Sequence, residues 1–237
     1  MTDNYDILKQ LFDKAKSVTP PSDAHFTFGE KYVAALNGMG QIGVCATLGK
    51  KVNQASLDNL DLGKVECRVA ANAFANATLN YLVEPDGNGD IFDMVDFGSY
   101  TSLVMIGYFG SLVQKLQSKS INPLVFDIDQ HEAPVLPMEK QKEYLTVADC
   151  VILTSTSLSN GTFSGIVKTV NPQCSIYMLG PSTPLDNLMF TIPQVKGLFG
   201  SIFPINNTET LNLIAQGYGT RDFMHTMRKV YRIRKNA

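Results

Sequence analysis

Apolar residues recur along the chain with two different patterns, which change near residue 100. In the first part, Ile7, Leu8, Leu11, Phe12 and Ala15 repeat at helical spacing, so a helix is predicted over residues 4–18. Three short runs broken by glycine and asparagine follow. They predict a small antiparallel meander over residues 24–28, 31–36 and 41–46. A second helix is predicted over residues 64–82, ended by a proline- and glycine-rich turn.

From residue 101 on, short and almost wholly apolar runs alternate with helical segments. Strands are predicted over residues 103–106, 123–126, 150–153 and 175–179. Helices are predicted over residues 111–118 and after Asn160-Gly161-Thr162. Strands that are apolar throughout indicate a parallel sheet buried on both faces. At the end of the chain we expect a strand over 198–203, a helix over 208–216 and a helix from Arg221.

These elements predict an α/β protein in two parts. Residues 1–95 form an α+β domain, and residues 96–237 form a Rossmann-like domain with a mainly parallel sheet. The segment over 91–100 is the candidate linker or crossover between them. An antiparallel second part would overturn the site hypothesis below, because the strand-end loops would no longer converge.

Composition and charge narrow the class of protein. The net charge of -2 and the absence of a basic stripe argue against a nucleic-acid partner. The one basic run, over 228–235, is interpreted as a terminal amphipathic segment. The polar N-terminus is not a signal peptide, and no apolar run approaches membrane-spanning length, so we expect a cytoplasmic protein without a membrane partner. Four scattered cysteines favour reduced, buried thiols over disulfides or a metal site.

Polar residues follow each predicted strand, at the edge where open α/β sheets bind ligands. The turn from Gly107 to Gly110, including Phe109, leads into a helix and allows close approach of a ligand. Asp127 lies about 20 residues further on, where a Rossmann fold places its ribose-binding acid. The dinucleotide-binding fingerprint is absent, which argues against the hypothesis of a nicotinamide-dependent oxidoreductase. A tight turn and a helix-capping aspartate are the structural alternative.

Two further loops are richer in hydroxyl groups than a strand-to-helix connection requires. The first contains Thr154, Ser157, Asn160 and Thr162, and one of these groups would suffice as a helix cap. The second contains Ser182 and Thr183 between two prolines. The surplus of hydroxyl groups favours hydrogen bonding to a carboxylate or phosphate in both loops.

The helix over 64–82 carries an unusual pair of faces. Glu66 shares one face with Ala70, Ala73 and Ala77, a set of small side chains that permits close packing of another element. Beside it, polar side chains recur at every fourth position: Arg68, Asn72, Asn76 and Asn80. Asparagine is a poor helix former, so this stripe either faces solvent or faces a cleft.

Metal ligands are not evident from spacing. The histidines are widely separated and fit no zinc motif. One local cluster, Asp127, Asp129, His131 and Glu132, is a candidate for cation binding, with an ordinary polar loop as the alternative.

The second part of the chain resembles the heavy-metal chelation domain family, domain of unknown function 364. The resemblance is carried by residues 106–109, 126–127, 148–162 and 179–185, with Asn160-Gly161-Thr162 and residues 180–184 as its specific motifs. The first part, around Glu66 and residues 70–73, resembles the family's enolase-N-terminal-like companion domain. The resemblance implies an enolase-N-like α+β domain packed on a Rossmann-like domain, with a site in the interdomain cleft.

Together these observations predict a small-molecule site. We expect Glu66 to be the catalytic residue, as a general base or a cation ligand, facing the strand-end loops across the cleft. A helix-end charge in solvent is the alternative for Glu66. The predicted ligand-binding residues are Asn72, Gly107, Phe109, Gly110, Asp127, Thr154, Ser157, Asn160, Thr162, Ser182 and Thr183.

Two classes of function remain open. The first is an enzyme acting on a small anionic metabolite or a metal chelator, with a role in heavy-metal chelation. The second is a non-catalytic module that binds a nucleotide, a chelate or a metal. The expected cofactor is accordingly a metal ion or a nucleotide-like ligand. The expected partner is a small anion or a metal chelate. A homo-oligomer is compatible with either class of function.

Overall fold

The computed structural model describes residues 6–58, 60–129 and 134–235. The helices are α1 Ile7–Val18, α2 Ala55–Asp58, α3 Val65–Leu79, α4 Ile91–Met94, α5 Gly110–Ser118, α6 Gln141–Val147, α7 Thr156–Ser159, α8 Phe163–Thr169, α9 Thr208–Ala215 and α10 Thr220–Phe223. The strands are β1 His25–Phe28, β2 Tyr32–Leu36, β3 Ile42–Ala46, β4 Gly87–Asn88, β5 Leu103–Ile106, β6 Leu124–Phe126, β7 Cys150–Thr154, β8 Ser175–Leu179, β9 Val195–Ile202 and β10 Arg228–Ile233.

The first part of the chain is the predicted meander covered by helices. Strands β1, β2 and β3 form an antiparallel sheet in that order. Helix α3 packs directly on β3 at Gly43, where an added Cβ would lie 2.0 Å from the backbone nitrogen of Ala77. Helix α1 packs on α3, with the rings of Phe12 and Phe74 in edge-to-face contact. The small face predicted for this helix therefore lies against the sheet.

The second sheet has seven strands in the order β4-β10-β9-β8-β7-β5-β6. Strands β6, β5, β7, β8 and β9 are parallel, which confirms the mainly parallel sheet. Strand β6 lies on one side of β5 and the next strand in sequence, β7, lies on the other side. The strand order therefore reverses between β5 and β7. Open α/β sheets form a crevice at such a reversal, outside the carboxyl ends of the strands.

The end of the chain differs from the prediction. The basic run forms β10, an antiparallel strand that pairs with β9 along its whole length and with β4 at Gly87–Asn88. Val230 and Arg232, two residues apart on one face of the strand, are both buried, and the Arg232 guanidinium donates to the Leu185 carbonyl at 2.8 Å. The helix expected from Arg221 is only the short α10, and the expected linker contains α4 and a 3-10 turn. The division near residue 95 stays a prediction.

The polar stripe of α3 is formed by Arg68, Asn72, Asn76 and Asn80. Arg68 is half-buried, and the asparagines are buried and face neither solvent nor an open cleft. The three asparagines are at most 2% exposed. The Arg68 guanidinium donates twice to the Leu158 carbonyl oxygen, at 3.0 and 2.7 Å, and also pairs with the Asp6 carboxylate. Arg68 thereby holds the segment after β7 against α3 and the start of α1.

The asparagines of the stripe bind the loop that follows β8. The Nδ2 groups of Asn72 and Asn76 donate to the Ser182 carbonyl oxygen at 3.1 and 3.0 Å. Asn80 donates to the Thr183 carbonyl at 3.1 Å and accepts from the backbone N–H of Leu185 at 2.7 Å. These donors satisfy buried carbonyls that a better helix former would leave unpaired. Asn80 alone uses both its donor and its acceptor, since the side-chain oxygens of Asn72 and Asn76 have no hydrogen-bond partner among the described residues.

No helix in the described ranges has both the length and the apolar character needed to cross a bilayer.

Replacing Asn80 tests the contribution of this stripe to stability. Asn80→Ala removes two hydrogen bonds and leaves the buried Leu185 N–H without its acceptor, so the free energy of unfolding is expected to fall by about 2–3 kcal/mol. Urea unfolding followed by circular dichroism measures the change. Asn212→Ala, at an exposed position of α9, is the matched control and should change stability by less than about 0.5 kcal/mol. Equal stability of the two variants would contradict the role assigned to the stripe.

Candidate functional site

A cavity of about 190 Å³, here the switch-point cavity, lies where the strand order reverses between β5 and β7. Leu48, from the loop after β3, also contributes to its wall. Six predicted ligand-binding residues line it, from the segments that follow three different strands: Gly107, Phe109, Asp127, Thr154, Asn160 and Thr162.

The turn after β5 depends on glycine at position 107. Its backbone φ is +92°, a region that side chains rarely adopt, and an added Cβ would lie 2.7 Å from the Cβ of Thr154. The Gly107 N–H donates to the Phe126 carbonyl at 2.8 Å, which joins the ends of β5 and β6. Gly107 therefore lets the loops after β5 and β7 approach each other closely.

Hydrogen bonds fix the polar groups of the switch-point cavity. The Asp127 carboxylate accepts from the backbone N–H groups of Tyr108, at 2.6 Å, and Asp129, at 2.8 Å. The hydroxyls of Thr154 and Thr156 lie 2.9 Å apart and share a hydrogen bond. The lining includes two carboxylates, Asp127 and Asp129, and among the described residues no lysine, arginine or histidine. The cavity thus suits a neutral hydroxyl-bearing group better than an anion.

A further hydrogen-bonded turn shapes the cavity wall after β7. The side-chain oxygen of Asn160 accepts from the N–H and the hydroxyl of Thr162, at 3.0 and 2.7 Å. This local turn lies between the short α7, which the sequence did not predict, and α8, which begins at Phe163. Both side chains consequently stay at the cavity.

Four other predicted ligand-binding residues lie outside the cavity: Asn72, Ser157, Ser182 and Thr183, each at most 1% exposed. The Ser182 hydroxyl accepts from the Ala46 N–H at 3.1 Å, and the Thr183 hydroxyl donates to the carbonyls of Gly180 and Phe199. In this arrangement the polar groups of Ser182 and Thr183 support the loop after β8 instead of facing open space.

Glu66 lies half-buried in the first turn of α3 and is not among the residues that line the switch-point cavity. Its predicted place opposite Gly107, and its catalytic role, stay predictions. The position favours a carboxylate in any case, because the N-terminal turn of a helix presents unpaired N–H groups.

A second cavity of about 480 Å³, here the basic cavity, lies on the other side of the turn over residues 107–110. Gly110, the remaining predicted ligand-binding residue, lines it, and Phe109 lines both cavities. Its charged lining comprises Asp90, Lys115, Arg221 and Lys229. Sequence reasoning missed the three cations, because they are up to 114 residues apart and meet only after β10 pairs with β9.

Comparisons with known proteins agree on one family. A family model described as "Putative heavy-metal chelation", DUF364, matches residues 90–233, which is more than half of the chain. A search of the curated proteins found no match.

Two solved structures share the fold. A DUF364 protein of unknown function from Pyrococcus horikoshii has a TM-score of 0.78 and 18% identity, over 96% of this chain and 100% of its own. A DUF364 protein of unknown function from Desulfitobacterium hafniense DCB-2 has a TM-score of 0.74 and 16% identity, over 98% of this chain and 100% of its own.

The family description raises the question of a bound metal. Within residues 6–58, 60–129 and 134–235, no group of three or more His, Cys, Asp or Glu side chains is arranged to hold a metal ion. His131 and Glu132 of the predicted cation cluster lie outside the described residues. The cysteines are free and buried, as predicted, and burial raises the pKa of the thiols of Cys45 and Cys150, and that of Cys174 to about 12. None of these cysteines belongs to a group of three or more potential metal ligands among the described residues, so they form no metal centre there.

Thiol reactivity tests this conclusion. Because all four cysteines are buried and burial favours the neutral thiol, we expect less than about one thiol per chain to react with Ellman's reagent within minutes at pH 8. In denaturant all four should react. Rapid reaction of two or more thiols in the folded protein, or its suppression by zinc, would contradict the assignment.

Proposed function

The chain belongs to the DUF364 family, and we propose that it is a small-molecule-binding protein whose ligand enters the switch-point cavity by a hydroxyl-bearing group, such as the ribosyl group of a nucleotide-like molecule. One observation carries the proposal: segments following β5, β6 and β7 bring Gly107, Asp127, Thr154 and Asn160 to one crevice at the reversal of strand order. Crevices of this kind are the usual ligand sites of open α/β sheets.

Two further contacts at this cavity support a Rossmann-like second domain and an interdomain site. A Rossmann-like second domain accounts for an aspartate at the end of β6 beside a glycine turn after β5. An interdomain site is supported by Leu48, which reaches the cavity from the meander that we propose to be enolase-N-like. A small metal chelator that enters the cavity by a hydroxyl group is the alternative ligand, in keeping with the family description.

The groups at the cavity favour binding over catalysis. The Thr154 and Thr156 hydroxyls hydrogen-bond to each other, and the Asp127 carboxylate accepts from two backbone N–H groups. These hydrogen bonds orient the groups toward a ligand hydroxyl, and none of them pairs a nucleophile with a general base. The non-catalytic module is therefore the preferred form of the proposal, and an enzyme using Glu66 is the second candidate.

Ligand binding tests the proposal directly. Purified protein is screened by thermal shift with nucleosides, nucleotides, zinc alone and zinc citrate, since a ligand that binds the folded state raises the melting temperature. A nucleoside or nucleotide should stabilise the wild type, and Thr154→Val should weaken its binding about two- to tenfold, the effect of one lost hydrogen bond. Calorimetry measures the affinities.

The matched control is Thr169→Val, which removes an exposed hydroxyl at the end of α8 and should leave binding unchanged. Equal binding by Thr154→Val and the wild type would overturn the assignment of the cavity. A response to free zinc alone would count against a nucleotide-like or chelate ligand.

The Glu66→Gln variant separates the enzyme from the module. If the protein is an enzyme, this variant should abolish turnover of the stabilising compound, followed by chromatography, while the melting temperature stays nearly unchanged. If the protein is a binding module, the wild type produces no product. Unaltered turnover in Glu66→Gln would show that Glu66 is a charge at the helix end without a catalytic role.

A further inference from the structure

We propose that the basic cavity is a second binding site, separate from the switch-point cavity, that takes an organic anion with a flat apolar body. This inference does not rest on the proposed function, because the two cavities share only Tyr108 and Phe109 of the turn over 107–110 and their charged residues differ. It follows from three features of the cavity: aromatic walls, exposed apolar side chains at its mouth, and an excess of positive charge.

Aromatic rings form the walls of the basic cavity. Tyr32, Tyr108, Phe109 and Phe199 all line it, and its volume of about 480 Å³ matches that of a typical small-molecule site. Part of its floor is formed by glycines, since Gly89, Gly110, Gly180 and Gly200 all line it. Flat walls with little side-chain bulk on the floor suit a planar ring system.

Large apolar side chains remain exposed at this cavity. Tyr108 is 38% exposed and Met224 is 44% exposed, although both line the basic cavity. Apolar surface gathered around a concavity marks a binding site more often than scattered exposed residues do. A ligand with an apolar body would remove this surface from water, which favours binding.

The charged side chains of the lining carry a net positive charge. Lys115 and Lys229 share one carboxylate, Asp90, at 3.7 and 3.3 Å, so one of their two charges is not compensated there. Arg221 adds a third cation, and the structure gives it no ion pair with any described residue. Three cations face one carboxylate in a chain whose net charge is -2, so the cavity attracts an anion.

Long-range contacts hold these cations in place. Pairing of β10 with β9 sets Lys229 opposite Ser201, another lining residue. The Tyr32 hydroxyl lies 2.6 Å from that of Thr220, and its ring packs edge-on against Phe223, which fixes the short helix that carries Arg221. The site is thus built by both parts of the chain and is formed before a ligand arrives.

Two fluorescent probes of the same shape test the proposal. Anilinonaphthalene sulfonate is a flat aromatic anion, and phenylnaphthylamine is its uncharged counterpart. We expect the wild type to bind one equivalent of the sulfonate saturably and several-fold more tightly than the neutral probe. Arg221→Gln should weaken the sulfonate about three- to tenfold, as expected for loss of one partly exposed charge contact, and leave the neutral probe unchanged.

Two variants make the test specific. Ser111→Trp introduces a bulky side chain at an exposed lining position and should abolish binding of both probes. Arg228→Gln, at an exposed position of β10 outside the cavity lining, is the charge-matched control and should bind like the wild type. Circular dichroism confirms that each variant is folded.

Several results would overturn the inference: no saturable binding to the wild type, undiminished binding by folded Ser111→Trp, or equal weakening by Arg221→Gln and Arg228→Gln. If Ser111→Trp fails to fold, the comparison of the two arginine variants decides the matter, because both arginines are exposed. Loss of nucleoside binding in Thr154→Val without loss of sulfonate binding would show that the two cavities act separately.

Discussion

The polar stripe of α3 is the interaction on which the candidate sites depend. Arg68 binds the carbonyl of Leu158 in the segment after β7, and three asparagines bind the loop after β8. These segments carry the carboxyl edge of the parallel sheet, and α3 itself packs on the three-stranded sheet. Buried amides stabilise a fold only when their partners are present, so this stripe specifies one relative position for the two sheets.

That fixed position creates cavities of opposite character on the two sides of a single turn. The switch-point cavity holds two carboxylates and hydroxyl groups, whereas the basic cavity holds three cations and aromatic walls. The turn between them is narrow because Gly107 adopts a positive φ and leaves no side chain in the gap beside Thr154. Under the two proposals, the charge of a ligand decides which cavity binds it.

Much of this architecture could be predicted from the sequence, because it depends on the composition of single strands and of the turns that follow them. β5 is apolar and buried at all four positions, as a strand covered on both faces must be, whereas β8 alternates buried with half-buried residues; both were predicted with the bounds that the structure shows. Glycine, aspartate and hydroxyl residues at the ends of β5, β6 and β7 marked the carboxyl edge, and Gly107, Asp127, Thr154 and Asn160 line one cavity there. Because a parallel sheet brings the carboxyl ends of its strands to one edge, polar residues that follow separate strands in the sequence lie close together in the structure.

The tertiary structure decided what depends on partners distant in sequence. Periodicity identified the stripe at Asn72, Asn76 and Asn80, but only the packing of α3 showed that its amides bind the loop after β8. In the same way, the basic tail became β10 because β9 and β4 offered it unpaired backbone groups. Arg221 and Lys229 then came to lie beside Lys115. A side chain's type and spacing are local properties of the chain, whereas its burial and its charged neighbours exist only once distant segments have packed.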